Sequence, residues 1–364
     1  MQQNEKALHF FLGANTPQGF VSRFDQLADT RDGWRSLIIK GGPGSGKSTM
    51  MKTIAANLDQ EGEPLEMIHC SSDVDSLDAV IDHNRRFSIA DGTSPHVIDP
   101  KYPGAFESII DLTSCWDDSK LFACRDEIIP LAQRCSRCHE HCCRFLAAAG
   151  SLMSDTYRLA LECVNTQKLA SHCARLALKE FKPLKNAVPK ERVRFLTAVT
   201  NKGVVSFTDT AKKLCDRVYL ITDDYGAVSR LMLTAMRSKA LEAGYDVISC
   251  YCPLAPFDKL EQLFIPKLRI GFMTSNRFHN YEEAFDPYRI INYQRFTDNH
   301  SFKQKRKRIS FNRKVAAQMV EQAQNLLAEA KTHHDELESY YIAAMDFKKA
   351  ESLTEKTIKK IQTF

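Results

Sequence analysis

The sequence predicts an α/β fold with a mostly parallel sheet in each of two tandem related modules. Three observations carry that expectation. Short apolar runs alternate with longer stretches of helical spacing, an order that builds parallel sheets covered by helices. A glycine-rich segment, Gly41-Gly42-Pro43-Gly44-Ser45-Gly46-Lys47-Ser48-Thr49, stands between one such run and one such stretch. The second half of the chain also repeats short pieces of the first in the same order.

In residues 1–190, strands are expected near 8–12, 36–40, 65–70 and 87–91, with a helix over 47–59. Leu37-Ile38-Ile39 is an apolar, partly β-branched run of the kind found in buried strands. Residues 118–183 read as a long helical hairpin, with apolar residues at helical spacing from Leu159 to Leu178 and a break at Gly150-Ser151. Pro183 and Pro189 bracket a linker. In residues 191–364, strands are expected near 193–198, 217–221, 246–251 and 268–273, with a helix over 226–243 that ends before Gly244. Residues 302–362, rich in Ala, Glu, Lys and Gln, read as a second long helical hairpin.

The repeat is ordered. Phe11-Leu12-Gly13-Ala14-Asn15-Thr16 matches Phe195 through Thr200, and Gly19 matches Gly203 at an offset of 184 residues. Cys70 matches Cys252 at 182, and Ile89 through Ser94 matches Ile270 through Ser275 at 181. Ile109-Ile110-Asp111 matches Ile290-Ile291-Asn292 at that last offset. A slowly drifting offset is what duplication with small deletions leaves.

The chain has 364 residues, 43% of them hydrophobic and 26% charged, the balance of a water-soluble globular protein. A net charge of +5 is too mild to argue for nucleic acid by itself. The first residues lack the apolar core of a signal peptide, and no apolar run reaches a membrane span. A cytoplasmic protein without membrane contact is expected, its twelve cysteines mostly reduced thiols.

Gly41 to Thr49 fits G-x-x-x-x-G-K-[ST], with Gly41, Gly46, Lys47 and Ser48 in the fixed places. Strand, glycine loop and helix is the context this motif requires. Gly41, Gly42, Pro43, Gly44, Ser45, Gly46 and Thr49 would build the cradle, whose backbone N–H groups converge on a phosphate at a helix N-terminus. Lys47 would reach the β- and γ-phosphates, and Ser48 would ligate Mg²⁺. The expectation is a P-loop NTPase with ATP and Mg²⁺ as cofactors, because residues 1–190 hold no Asn/Thr-Lys-x-Asp guanine signature. Asp91, at the end of Phe87-Ser88-Ile89-Ala90, is the expected second metal ligand, against the plainer reading of a turn aspartate. No glutamate follows it, so the general base is unassigned, with Asp73 and His96 as weak candidates.

In the second half the corresponding loop reads Asp223-Asp224-Tyr225-Gly226-Ala227-Val228-Ser229-Arg230. Gly226 falls opposite Gly44, Ser229 opposite Lys47 and Arg230 opposite Ser48, while Phe272 replaces Asp91. Two carboxylates stand where a phosphate would lie, so this module is expected to have lost nucleotide binding.

Cys135, Cys138, His139 and Cys142 lie on one helical face at i, i+3, i+4 and i+7. They allow a zinc or iron–sulfur site as a weak alternative, but one helix rarely completes a tetrahedral set. Packing of a small-residue stripe is the preferred reading. Lys303-Gln304-Lys305-Arg306-Lys307-Arg308 is a basic run that reads as a solvated helix face, or as a contact for a protein or nucleic-acid partner.

Phe11-Leu12-Gly13-Ala14-Asn15-Thr16-Pro17-x-Gly19-Phe20, the glycine loop, His69-Cys70-Ser71-Ser72-Asp73 and Asp91-Gly92-Thr93-x-Pro95-His96-x-x-Asp99-Pro100 together resemble a bacterial family of duplicated P-loop, ATPase-like proteins. The resemblance spans nearly the whole chain. It implies a P-loop NTPase fold and nucleotide binding, and it names no cellular role. Members of the family can carry recognisable glycine loops in both halves, and Asp223 to Arg230 departs from that. The sequence thus points to an ATP-binding protein, an ATPase with one working site. A small-molecule kinase and a non-enzymatic nucleotide-dependent switch are the alternatives.

Overall fold

The computed structural model describes residues 6–58 and 62–364. The first half forms β1 (Leu8–Phe10), β2 (Gly13–Thr16), β3 (Gly19–Ser22), β4 (Arg35–Lys40), α1 (Lys47–Ala56), β5 (Glu66–His69), β6 (Leu77–Asp82), β7 (Phe87–Asp91), β8 (Glu107–Asp111), α2 (Asp118–Ala123), α3 (Arg125–Leu161) and α4 (Thr166–Glu180). The second half forms β9 (Glu191–Arg194), β10 (Thr197–Thr200), β11 (Gly203–Ser206), α5 (Thr208–Leu214), β12 (Arg217–Thr222), α6 (Ala227–Glu242), β13 (Val247–Cys252), β14 (Ala255–Ile265), β15 (Ile270–Ser275), β16 (Arg289–Asn292), α7 (Asn299–Ala344) and α8 (Phe347–Ile361). The last residue of the expected 47–59 helix lies outside the described residues.

The chain is α/β with two mixed six-stranded sheets. Their orders are β1-β5-β6-β7-β4-β8 and β9-β13-β14-β15-β12-β16. In the first, β1–β5, β7–β4 and β4–β8 are parallel, while β5–β6 and β6–β7 are antiparallel. The second repeats those senses pair by pair. Each half adds a small hairpin, β2–β3 or β10–β11.

Each expected strand has an observed counterpart, but β6, β8, β14, β16 and both hairpins exceed the expectation. Leu77-Asp78-Ala79-Val80-Ile81-Asp82 is buried throughout although it carries two aspartates. The Asp82 carboxylate accepts from the backbone N–H groups of Asn84 and Arg85 and from the Arg85 guanidinium, which is how burial of this charge is tolerated.

The helical hairpins differ most from expectation. α3 runs unbroken through Gly150. A Cβ at Gly150 would lie 2.8 Å from the Pro17 ring, so glycine serves close approach to the β2–β3 turn and not a helix break. Neither half folds its helices back on itself. α3 pairs along its length with α7 of the other half, antiparallel, since Asp155 meets Arg308 while Cys135 meets Ala330. Leu169, Cys173 and Leu176 of α4 join the core of the second half, and Ile361 of α8 joins that of the first. The two halves exchange their last helices.

Contacts between the halves come in reciprocal pairs. Phe11 and Phe195 exchange both backbone hydrogen bonds, each 2.9 Å. The Asp117 N–H donates to Ala344 O, and the Asp298 N–H donates to Cys163 O. The Asp346 N–H donates to Cys115 O, and the Asn165 N–H donates to Phe296 O. This is the self-complementary pattern of a two-fold interface, here within one chain. A shared core draws Phe10, Ile68 and Ile81 from one sheet and Leu220, Ile248 and Phe264 from the other. Across the same seam the Arg194 Nε lies 2.7 Å from the fully buried Glu66. Burial pushes the Glu66 carboxyl up, but Arg194, His83 and Arg192 outweigh it and hold the group well below the usual carboxylate range.

Candidate functional site

β4 lies between β7 and β8, all three parallel, so their C-terminal ends open toward one side of the sheet. Loops at that edge are where ligands gather in open α/β sheets. The glycine loop leaves β4 and enters α1 directly. Gly44 (φ +67°) and Gly46 (φ +87°) adopt left-handed backbone, which costs glycine nothing and strains other residues. Gly46 is the N-cap of α1. The Ser45 hydroxyl donates to Gly42 O (2.8 Å), bracing the turn. The Ser48 hydroxyl accepts the Leu77 N–H (3.0 Å), tying the helix start to β6. Thr49 is exposed, and Pro43 is half-buried.

The fold brings Lys47 and Asp91 together. Lys47 Nζ lies 3.6 Å from an Asp91 carboxylate oxygen and donates to Gly41 O (3.0 Å) and Gly42 O (2.6 Å). The other Asp91 oxygen accepts from the Thr93 N–H (2.9 Å) and hydroxyl (2.6 Å), which fixes the carboxylate. Lys40 donates to Gly92 O, Ile98 O and Asp99 and so clamps the loop that follows Asp91.

α7 covers the loop. The Gly44 N–H donates to a Glu338 carboxylate oxygen (3.1 Å), so a carboxylate already sits on a backbone donor of the loop. A Cβ at Gly42 would lie 2.6 Å from the Tyr341 ring. Lys331 of the same helix stands 3.4 Å from Asp73, which also accepts from the Ser76 hydroxyl. Among the described residues Asp73 is therefore engaged by α7 and its own turn, and not by Lys47.

The sequence reading missed Asp78 as part of this site. Its carboxyl is buried on β6, 3.8 Å from His96 Nε2. Burial pushes Asp78 up to about 6; His96 and Lys47 oppose the rise and Asp91 adds to it. His96 stacks on Phe24 at 4.5 Å, and neither ring nitrogen finds a hydrogen-bond partner among the described residues. His96 thus enters the site beside Asp78. A lone aspartate inside the apolar run 77–81 was the available signal.

The second-half loop is filled by its own side chain. The Asp223 carboxylate accepts the N–H groups of Tyr225 (3.0 Å), Gly226 (3.1 Å), Val228 (2.9 Å) and Ser229 (2.8 Å). Asp223 therefore takes up the backbone donors that an anion would use. Asp224 does not share this cradle: it accepts from Arg313 (2.8 Å) and from the Arg277 N–H (3.0 Å). Arg230 donates to Asp258 O and lies over the Tyr157 ring. Sheet register corrects one correspondence. Ile39 pairs with Asp91, and Ile221 pairs with Thr274, so Thr274 stands where Asp91 stands. Phe272 instead packs in the core against Tyr219. By the same register Glu261, 3.5 Å from buried His279, answers Asp78 and His96.

A cavity of about 410 Å³ opens beside this second loop, lined by Tyr157, Asp224, Arg230, Lys259 and Arg313 among others. Its lining includes neither Lys47 nor the glycine loop, against which Tyr341 and Ile342 of α7 pack. Cavity size therefore does not mark the glycine-loop site, which is defined by its backbone geometry.

Cys135, Cys138 and Cys142 line the α3–α7 seam. Cys142 is buried in an apolar cluster with Leu146, and Cys135 Sγ donates to Ala330 O (3.6 Å). His139 is held below its ordinary pKa by burial and by His334. A single helix would need a further ligand, and the nearby-in-sequence thiols Cys163 and Cys173 lie just past the end of α3 and in the second-half core. The basic run is partly used inside the molecule: Lys305 pairs with Glu162, and Arg308 with Asp155 (2.6 Å). Lys303, Arg306 and Lys307 face solvent. No helix among the described residues is long and apolar enough to cross a membrane.

Comparison with protein-family models, curated proteins and solved structures found no match to this chain.

Proposed function

We propose that the chain binds Mg²⁺–ATP at the glycine loop of its first half and hydrolyses it slowly, and that its two halves arose by duplication of one P-loop module. The observation that carries this reading is the loop itself. It is a strand-to-helix turn with two left-handed glycines, an N–H donor that already holds a carboxylate, and Lys47 and Asp91 within 3.6 Å. Such a loop suits a polyphosphate because its donors are fixed before the ligand arrives. Lys47 would leave the Gly41 and Gly42 carbonyls for phosphate oxygens. Ser48 and Asp91 would hold the metal. Asp78, raised toward neutrality and adjoining His96, is the best-supported group to accept a proton from water.

Coverage of the loop by Glu338 and Tyr341 favours a second reading, a nucleotide-dependent switch in which ATP competes with α7. Turnover separates the two. Phosphate release that requires Mg²⁺ and is lost in Lys47→Ala is the expected result. Stoichiometric ATP binding without phosphate release favours the switch. Equal ATP affinity in Lys47→Ala and the unsubstituted chain rejects both. Lys47→Ala is expected to lose at least about a hundredfold in affinity, about 2.8 kcal/mol.

A further inference from the structure

The α3–α7 seam follows a seven-residue rhythm. Along α7, Ala323, Leu327, Ala330 and Leu337 are buried at alternating spacings of four, three and seven residues. His334 fills the intervening core position with a buried Nδ1 that finds no hydrogen-bond partner among the described residues. At this level the seam departs from apolar packing.

We propose that Cys138, Glu329 and His333 form a zinc site that clasps α3 of the first half to α7 of the second. The Cys138 sulfur, a Glu329 carboxylate oxygen and a His333 ring nitrogen all lie within 4.8 Å of one another. Zinc bonds of about 2.0–2.3 Å at tetrahedral angles need ligand atoms roughly 3.3–3.8 Å apart, so modest side-chain rotation closes the set. Glu329 and His333 are one helical turn apart on α7, 3.7 Å between Oε1 and Nε2, and Cys138 faces them from the opposing helix. An i, i+4 pair presents two ligands to one ion without distorting its helix.

Thiolate, imidazole and carboxylate suit zinc better than magnesium or calcium, which prefer oxygen alone. The charges close as well. One thiolate and one carboxylate neutralise Zn²⁺, and neutral His333 adds a lone pair. As the Zn–S bond forms, the thiol proton passes to solvent. Burial and Glu329 hold the Cys138 thiol protonated in the metal-free chain, so binding has to displace that proton. Cys138 is buried, whereas the Glu329 and His333 side chains are 58% and 22% exposed, which leaves an entry path and room for a water as fourth ligand. The ligands differ from the one-helix set Cys135, Cys138, His139 and Cys142. This site stands independently of nucleotide binding.

The test uses the full chain, stripped with a chelator and titrated with Zn²⁺ and, separately, Co²⁺. The expected result is about one zinc per chain and a thiolate-to-cobalt charge-transfer band. Cys138→Ser should abolish the band. His333→Gln should weaken zinc binding about tenfold or more, and Cys135→Ser should leave both unchanged. Circular dichroism of each variant checks that the helices persist. Absence of a cobalt–thiolate band in the unsubstituted chain overturns the proposal, whatever the variants do. So does a band that survives Cys138→Ser.

Discussion

At the residue scale, two buried carboxylates behave in opposite ways because their partners differ. Glu66 faces Arg194, Arg192 and His83, and it is held ionised. Asp78 faces His96 at 3.8 Å and, among the described residues, forms no closer ion pair, so burial prevails and its carboxyl rises to about 6. The stability consequences follow by linkage. The native Asp78 carboxyl titrates above its unfolded value of 3.8. Its protonated form therefore favours the native state below that value, and the benefit is lost as pH rises through about 6. Asp78→Asn should thus stabilise the chain by about 1–3 kcal/mol at pH 8 and by almost nothing at pH 3, while ending ATP turnover. Denaturant melts at the two pH values measure the first, and phosphate release the second. Equal stabilisation at both values would sink the assignment of Asp78 as a strained buried acid.

At the element scale, α7 joins the seam to the glycine loop. The helix that carries His333 also carries Glu338, whose carboxylate accepts the Gly44 N–H. A carboxylate on that donor repels an incoming triphosphate. Glu338→Gln keeps the hydrogen-bond acceptor and removes the charge. It should raise ATP affinity about five- to tenfold, roughly 1 kcal/mol, in isothermal titration. Unchanged or weaker binding would show that Glu338 does not compete with nucleotide. The elements themselves were unequally legible in the sequence. β4, the glycine loop and α1 read out correctly because apolar run, glycines and helix follow one another locally. β6 and β14 did not, because Asp78, Asp82 and Glu261 interrupt their apolar patterns, and nothing in the spacing shows that Asp82 is met by Arg85 and Glu261 by Lys259 and His279 once the strands are buried. Gly150 looked like a helix break because nothing local reveals Pro17 against its Cα. Lys47 and Asp91 were named from their motif positions. Asp78, Glu338 and Glu329 depend on tertiary neighbours that no spacing rule encodes.

At the scale of the whole molecule, the halves are not independent modules in tandem. α4 buries Leu169, Cys173 and Leu176 in the second-half core, and α8 returns Ile361 to the first. Each half alone would expose those faces and half of the shared core. Residues 1–190 and 191–364 expressed separately should therefore aggregate or lack a cooperative melt. Mixed on refolding, they should recover one complex of the full mass by size exclusion. A monomeric, cooperatively melting 1–190 fragment would contradict the exchange of helices.

The central claim is that a two-fold pair of glycine-loop sites has become one working site, because Asp223 takes the second cradle's donors. Equilibrium titration with a non-hydrolysable ATP analogue and Mg²⁺ tests it most directly. The account predicts one analogue per chain, lost on Lys47→Ala. Two per chain, or one that survives Lys47→Ala, would contradict it.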